Sequence, residues 1–334
     1  MVTLIVSKLF LKNWFGPDDG LDALGKRKDL DPETYAIVVA DWIKSGSKLA
    51  GGCCKTGPAH IARLRDLISL SRSAAAWGGP RESAMAKIEV EWDGPVTTII
   101  INRPELRNAL DLEATELLHN AIIDFEEDGD ARVAILWGAG GTFCAGADLR
   151  EMVDKGAVYK PWAGTDGPLS HPLSKPLIAA VEGHAVAGGL GVALYCDMRV
   201  ASETAIFGVF CRRFGVPMSD GTTVRLPRLI GTGRALDMLN TGRSVDAFDA
   251  KAMGLADRVE PTGHARTAAE AIARHMAEFP QAALRADRWS ALHQGGLSLA
   301  EALECEAEGA EGAKRVDAAN GAARFSDGDG RGGV

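Results

Sequence analysis

The sequence predicts an α/β fold, because short apolar runs alternate with glycine-rich loops and amphipathic helices over most of its length. Two runs, Val133 to Trp137 and Leu177 to Val181, are typical of buried strands. The loops that follow them read "GAGGTFCAGADLREM" and "EGHAVAGGLG". From about residue 233 onward the pattern is almost entirely helical. We therefore expect a sheet covered by helices, followed by a helical region.

The individual elements follow from local patterns. The segment "MAKIEVEWDGPVTTIIIN" alternates and then becomes apolar around an Asp-Gly-Pro turn, which predicts a hairpin. The segment "LEATELLHNAIIDFEED" predicts a helix with Asp111 as its N-cap, and Asp148 is expected to cap the helix after the first glycine loop. The apolar stripe of the first helix is predicted to contain Leu112, Leu117, Leu118, Ala121, Ile122 and Phe125.

Composition narrows the class of protein. The chain has 334 residues, of which 46% are hydrophobic, enough for a large core and about two domains. Its net charge of −8 includes no basic block, so we expect no nucleic-acid partner. Lys8 and Lys12 interrupt the apolar start too early for a membrane span. The six cysteines form no paired framework, which is typical of a cytoplasmic protein.

The chain is expected to divide near residue 85. Residues 71–84, "SRSAAAWGGPRESA", are small and polar with a Gly-Gly-Pro break, which predicts a linker. We expect residues 1–70 to be a separate segment, residues 85–258 the α/β core and residues 259–325 a helical region. Residues 326–334 are expected to be a disordered tail. Met85 would make a natural start for the core.

The two glycine loops are candidates for binding an anionic oxygen. Ala147 lies close to a predicted helix start, and Gly188 occupies the corresponding place in "AVAGGLG". Backbone N–H groups at helix starts lack partners and lie at the positive end of the helix dipole. Two such groups pointing to one place would form an oxyanion hole. The alternative is that small residues only allow a helix to pack closely against a strand.

Several motifs occur in the order and spacing of one known family: "NRPELRNALD", "FCAGADLREM", "PLIAAVEGHAVAGGLGVALYCDMRVAS", "AIFG" and "TTVRLPRLIG". The chain from residue 87 to about 330 therefore resembles the crotonase (enoyl-CoA hydratase/isomerase) superfamily. This resemblance implies a spiral of ββα units with a C-terminal helical trimerisation region, and a homotrimer or dimer of trimers. It also implies an acyl-CoA thioester as substrate, with coenzyme A as part of that substrate, and no separate cofactor or metal.

The resemblance also implies roles for individual residues. The backbone N–H groups of Ala147 and Gly188 would hold the thioester oxygen. The CoA groove would be lined by Arg107, Ala109, Ala145 and Arg150. For the two arginines, the alternative is a solvated surface charge.

This sequence departs from the family pattern at both catalytic glutamates. Hydratases of the family carry glutamates at the places held here by Gly191 and Cys211, so hydration by two glutamates is not expected. The nearest acid is Asp220 in "FGVPMSDGTTVRL", which would move a proton between two carbons, activate one water or cap a helix. Restoring a carboxylate with Gly191→Glu is expected to raise water addition. A non-catalytic acyl-CoA binding protein with the same fold is the alternative function.

A second resemblance concerns the N-terminal segment. Residues 35–68, "YAIVVADWIKSGSKLAGGCCKTGPAHIARLRDLI", resemble the C-terminal end of the homocysteine S-methyltransferase family. There a Gly-Gly-Cys-Cys sequence supplies two thiolates to zinc, and Cys53 and Cys54 match it. The family also uses a third cysteine from an earlier strand, and residues 1–52 contain none. Because a zinc site needs three protein ligands, we expect a fused remnant or an over-extended chain start, without metal, rather than a zinc-dependent methyltransferase.

Overall fold

The computed structural model describes residues 86–156, 162–164 and 167–327. The N-terminal segment with Cys53 and Cys54, the linker at 71–84 and residues 328–334 lie outside these ranges, so the expectations for them stay predictions. None of the described helices has both the length and the apolar character needed to cross a membrane.

Strands and helices alternate through the first half of the described chain. The strands are β1 (Ile88–Asp93), β2 (Val96–Ile101), β3 (Val133–Gly138), β4 (Leu177–Val181), β5 (His184–Val186), β6 (Met198–Ser202), β7 (Ile206–Gly208), β8 (Ser244–Asp246) and β9 (Arg258–Glu260). The α-helices are α1 (Leu112–Glu127), α2 (Leu149–Lys155), α3 (Gly188–Tyr195), α4 (Thr222–Ile230), α5 (Thr232–Thr241), α6 (Ala247–Met253), α7 (Ala265–Glu278), α8 (Gln281–His293), α9 (Leu299–Ala313) and α10 (Ala319–Asp327).

The strands form two sheets. The larger has six strands in the order β1-β2-β3-β4-β6-β9, and the smaller has the order β5-β7-β8. The predicted hairpin is present: β1 and β2 are antiparallel and turn at Gly94, whose φ of +56° favours glycine. Every later pair in the large sheet is parallel. The carboxyl ends of β2, β3, β4 and β6 therefore lie at one edge of the sheet.

Alternate residues of the central strands enter two different cores. Leu136 of β3 belongs to the core that contains α1 and α3, whereas Ile135 belongs to the core beneath α7. The fully buried residues of helix α7 in that second core are all alanines: Ala265, Ala269, Ala273 and Ala277. This four-residue spacing of small side chains lets the helix lie close to the sheet. Ile272 and Met276 of the same helix also pack against this core but are only partly buried.

Helix α1 corrects part of the predicted apolar stripe. Its buried residues are Ala114, Leu118, Ala121, Ile122 and Phe125. Leu112 and Leu117, which the sequence pattern assigned to the stripe, are 44% and 38% exposed. Leu117 immediately precedes buried Leu118, and consecutive residues of a helix point about 100° apart. The two leucines therefore lie outside the buried face.

The predicted helical region after residue 233 is present, with the short strands β8 and β9 inserted into it. Helices α8, α9 and α10 contain no fully buried residue within the part of the chain described. Helix α10 extends to Asp327, just beyond the boundary expected from the sequence. Trimer formation through this region stays a prediction.

Candidate active site

The first glycine loop holds Ala147 just before α2. Leu110 bonds to the residues on either side of Ala147: its N–H donates to Gly146 O over 2.8 Å, and its carbonyl accepts from Asp148 N over 2.9 Å. In such a parallel bridge the backbone N–H and C=O of the middle residue, here Ala147, point away from Leu110. Asp148 is the N-cap of α2, as predicted, and accepts from Arg150 N over 3.1 Å.

The second glycine loop holds Gly188 at the first position of α3. The preceding residue, Ala187, has φ +51° and ψ −128°, a conformation that an alanine rarely adopts. Its N–H donates to Gly208 O over 2.9 Å, which fixes the loop against β7. The strained turn therefore directs the chain from β5 into α3.

The two loops are in contact. A Cβ built on Gly146, whose φ is +93°, would stand 2.7 Å from Gly188 N, so only glycine fits at position 146. No acceptor for the N–H of Ala147 or Gly188 is found among the described residues. Two backbone donors at neighbouring helix starts are thus available to a ligand oxygen.

The glycines of α3 are each required by a neighbour. A Cβ at Gly189 would stand 2.0 Å from Cys144 O, and one at Gly188 would stand 2.6 Å from Cζ3 of Trp162. A Cβ built on Gly191 would stand 2.3 Å from Cγ of Asp220. The close-packing interpretation of the glycine-rich sequence is therefore supported at all three positions, whereas the oxyanion hole stays a prediction.

Asp220 brings a carboxyl group to α3. It is only 4% exposed, and its Oδ1 accepts from Thr222 N over 2.9 Å at the start of α4. The N-cap of α4 is Gly221, so Asp220 does not occupy the cap position but accepts from the first backbone N–H of the helix, and it also lies against Gly191. Burial raises the pKa of Asp220 above its ordinary value of 3.8, although the Thr222 hydrogen bonds and the charge of Arg225 act in the opposite direction.

Cys211 lies near this carboxyl group, in the short 3-10 helix Phe210–Phe214. Its Sγ contacts Met218 Sδ over 3.0 Å. Burial raises the pKa of the Cys211 thiol, and the Asp220 charge raises it further. The thiol consequently stays protonated near neutral pH.

The residues expected to line a CoA groove lie around the first loop. Arg107 and Arg150 are both exposed, whereas Ala109 and Ala145 are partly buried. Arg107 adopts a left-handed conformation with φ +54°, and its carbonyl accepts from Ala145 N over 3.1 Å. The backbone at 107 and that at 145 are thus brought together, and both arginine side chains reach solvent.

A buried ion network beneath the first loop was not anticipated. The Arg103 guanidinium Nη2 lies 3.0 Å from Asp111 Oδ2 and 3.3 Å from Asp148 Oδ2. It thereby joins the N-caps of α1 and α2, and Lys87 adds a second cation at 2.6 Å from Asp111. Both aspartates were predicted as caps, but a pattern of caps does not show which cation they share.

Two further residues at the site were missed. Asn108 is fully buried with φ +55°, and its Nδ2 donates to Ala139 O and Thr142 O, which holds the segment that leads into the first loop. Nothing in the sequence pattern singles out Asn108 for this buried role, although the motif "NRPELRNALD" that contains it was recognised. Trp162, which packs on Gly188, lies in a segment without clear periodicity.

Comparisons with known proteins identify relatives of this chain. The chain is 41% identical to the enoyl-CoA hydratase EchA19 of Mycobacterium tuberculosis over 212 residues, which cover 60% of this chain and 79% of the relative. It is 33% identical to the short-chain-enoyl-CoA hydratase of Clostridium acetobutylicum over 228 residues, covering 66% and 87%. The crystal structure of EchA1 from Mycobacterium marinum superposes with a TM-score of 0.68 at 31% identity, covering 72% of this chain and 96% of that one.

Family comparison separates the two parts of the chain. Residues 6–68 match the homocysteine S-methyltransferase family, which confirms the second resemblance and extends it toward the N-terminus. Residues 91–326 match the enoyl-CoA hydratase/isomerase family, and the crotonase fold expected from the motifs is confirmed. The chain therefore belongs to the enoyl-CoA hydratase/isomerase family.

Proposed function

We propose that this protein transfers a proton on an acyl-CoA thioester, with Asp220 as its acid-base group and the N–H groups of Ala147 and Gly188 as its oxyanion hole. The observation that carries the proposal is the position of Asp220. Its carboxyl group lies on Gly191, one helical turn from the N–H of Gly188. A proton-transfer group and a donor for the thioester oxygen thus belong to the same short helix.

The two parts have complementary roles. Removing a proton from the carbon next to a thioester places negative charge on the carbonyl oxygen. Backbone donors that are already in place stabilise this enolate without reorganising, and one such donor is commonly worth about 10²- to 10³-fold in rate. The Leu110 bridge and the strained Ala187 turn hold these two donors before substrate binds.

The presence of one carboxylate favours isomerisation of a double bond. A buried carboxylate with a raised pKa is a stronger base than an exposed one, and after accepting a proton it becomes an acid. It can therefore take a proton from one carbon and return it to another. The Cys211 thiol, whose pKa is raised, does not supply the second carboxylate that the family's hydration uses.

The remaining parts of the proposal concern binding and assembly. The exposed guanidinium groups of Arg107 and Arg150 would attract the phosphates of coenzyme A. Helices α8 to α10, which bury none of their described residues in this chain, would contact other subunits in a trimer or a dimer of trimers. We place the protein in the cytoplasm because its sequence shows no paired cysteine framework.

A second candidate function is binding of acyl-CoA without turnover. Cys211 favours it, since a protonated thiol stands where the family carries a carboxylate. In that case Asp220 would serve only to hold the start of α4 through Thr222.

The two functions are separated by incubating the purified protein with a panel of enoyl-CoA thioesters, followed by mass and isomer analysis of the products. We expect products of equal mass with a moved double bond. A gain of the mass of water would show hydration instead. Binding of the thioesters with no product from the whole panel would establish the non-catalytic function.

A further inference from the structure

The side chain of Trp162 covers the start of α3. Its ring atoms Cζ3 and Cη2 lie 2.6 and 3.0 Å from a Cβ built on Gly188, and the residue is 6% exposed. The indole ring therefore rests directly on the α-carbon of Gly188, whose backbone nitrogen lies beside Gly146 of the first glycine loop.

The backbone around Trp162 is held on both sides. Ala163 N donates to Ser219 O over 3.1 Å, and Leu169 N donates to Trp162 O over 2.8 Å. Arg225 ties these segments together, since its Nη1 donates to Asp220 O over 3.1 Å and its Nη2 to Leu169 O over 2.6 Å. These hydrogen bonds fix the backbone that carries Trp162, and close packing on Gly188 fixes the buried ring itself.

Trp162 and Asp220 lie over the same face of α3. Gly188 and Gly191 are three residues apart and so share one side of the helix. The indole covers the first and the carboxyl group covers the second. The carbons of an acyl group whose carbonyl oxygen is bound at Gly188 N–H would lie between these two side chains.

We propose that Trp162 is a specificity-determining residue that limits the acyl group to short chains. The inference rests on the proposed function, because it requires the thioester carbonyl to bind at Gly188. An acyl chain that runs from the carbonyl past Asp220 meets the buried indole of Trp162. Longer chains lose affinity because they must displace this buried ring.

The test is a calorimetric titration with saturated acyl-CoA thioesters of four to twelve carbons, which bind without reacting. The variants are Trp162→Ala and Trp162→Phe, with Trp137→Ala as matched control. Trp137 is a partly buried indole in the core beneath α7, on the other face of the sheet. We expect butanoyl-CoA to bind the unmodified protein more tightly than dodecanoyl-CoA. Trp162→Ala should bind dodecanoyl-CoA at least about tenfold more tightly than the unmodified protein does.

Trp162→Phe should shift the preference in the same direction by a smaller factor, and it decides the result if Trp162→Ala does not fold. Trp137→Ala should keep the original order of affinities. Equal affinity for short and long chains in the unmodified protein, or an unchanged order in folded Trp162 variants, would overturn the role of Trp162 alone. If no thioester binds better than coenzyme A itself, the proposed function fails as well.

Discussion

The Asp220 carboxyl group occupies the space over the α-carbon of Gly191, where a Cβ would stand 2.3 Å from its Cγ and 2.7 Å from its Oδ1. A side chain from the loop before α4 thus fills the place that a residue of α3 would fill. The carboxyl group of Asp220 can lie there because residue 191 has no side chain.

The first prediction concerns the acid-base role of Asp220. Asp220→Asn keeps the shape of the side chain and its acceptor for Thr222 N, but it removes the base. Turnover should fall by about 10²-fold or more, with affinity for acyl-CoA close to that of the unmodified protein. Steady-state kinetics and calorimetric titration measure the two effects.

The matched control for this substitution is Asp246→Asn. Asp246 is an exposed N-cap of α6 that accepts from Phe248 N and Asp249 N, and it plays no part in the proposed chemistry. Turnover should stay unchanged in this control. Full turnover in Asp220→Asn would show that Asp220 only holds the start of α4 through Thr222.

The second prediction concerns stability and pH. Burial raises the pKa of Asp220, so the folded protein holds this proton more tightly than the unfolded chain does. The stability that this group contributes is present below its unfolded pKa and is lost as pH rises through its folded pKa. Asparagine does not ionise. As the pH rises from about 4 to about 8, the free energy of unfolding of Asp220→Asn should therefore increase relative to that of the unmodified protein. Urea denaturation at both pH values tests this, and a constant difference would contradict it.

The third prediction corrects an expectation from sequence. Gly191→Glu was expected to raise water addition by restoring a carboxylate, but its Cβ and the Asp220 carboxyl group would need the same space. The single substitution should therefore lower both stability and turnover. Combining Gly191→Glu with Asp220→Gly removes the collision. The double variant should regain stability in thermal unfolding, and a single variant as stable as the parent would refute the steric argument.

The fourth prediction concerns the buried guanidinium of Arg103. Its side chain is 9% exposed and joins the caps of α1 and α2. Arg103→Met leaves Asp111 and Asp148 without their shared cation, which should cost about 3–5 kcal/mol of the free energy of unfolding. The exposed pair between Arg274 and Asp93 provides the control, and Arg274→Met should cost less than about 1 kcal/mol. Similar losses in both variants, measured in urea, would contradict this role of Arg103.

The fifth prediction concerns the N-terminal segment. The match to the enoyl-CoA hydratase/isomerase family begins at residue 91, and the described sheet begins at Ile88. A chain starting at Met85 should therefore fold and bind acyl-CoA as the full chain does. Calorimetry and circular dichroism of both chains make the comparison. Insoluble or non-binding protein from the Met85 start would show that residues 1–84 are needed.

Local patterns were sufficient for the features that depend on neighbours in sequence. The β1–β2 hairpin, the strand Leu177–Val181 and the caps Asp111 and Asp148 were all predicted correctly. The positions of Trp162 and Asp220 were not predictable, because each lies over α3 through contacts between distant parts of the chain. The spacing of apolar residues also does not define where the buried face of a helix ends, which is why Leu117 of α1 was assigned to the wrong face.

The occupied spaces around Gly146, Gly188 and Gly191 have a consequence for engineering this protein. A glycine-rich sequence suggests a pliable loop, yet here each missing Cβ is replaced by atoms of another segment. Enlarging these residues would displace the backbone nitrogen of Gly188, the indole of Trp162 and the carboxyl group of Asp220, respectively. New substrate preferences should therefore come from trimming a large neighbour such as Trp162. Libraries for directed evolution would be best concentrated there, with the glycines left unchanged.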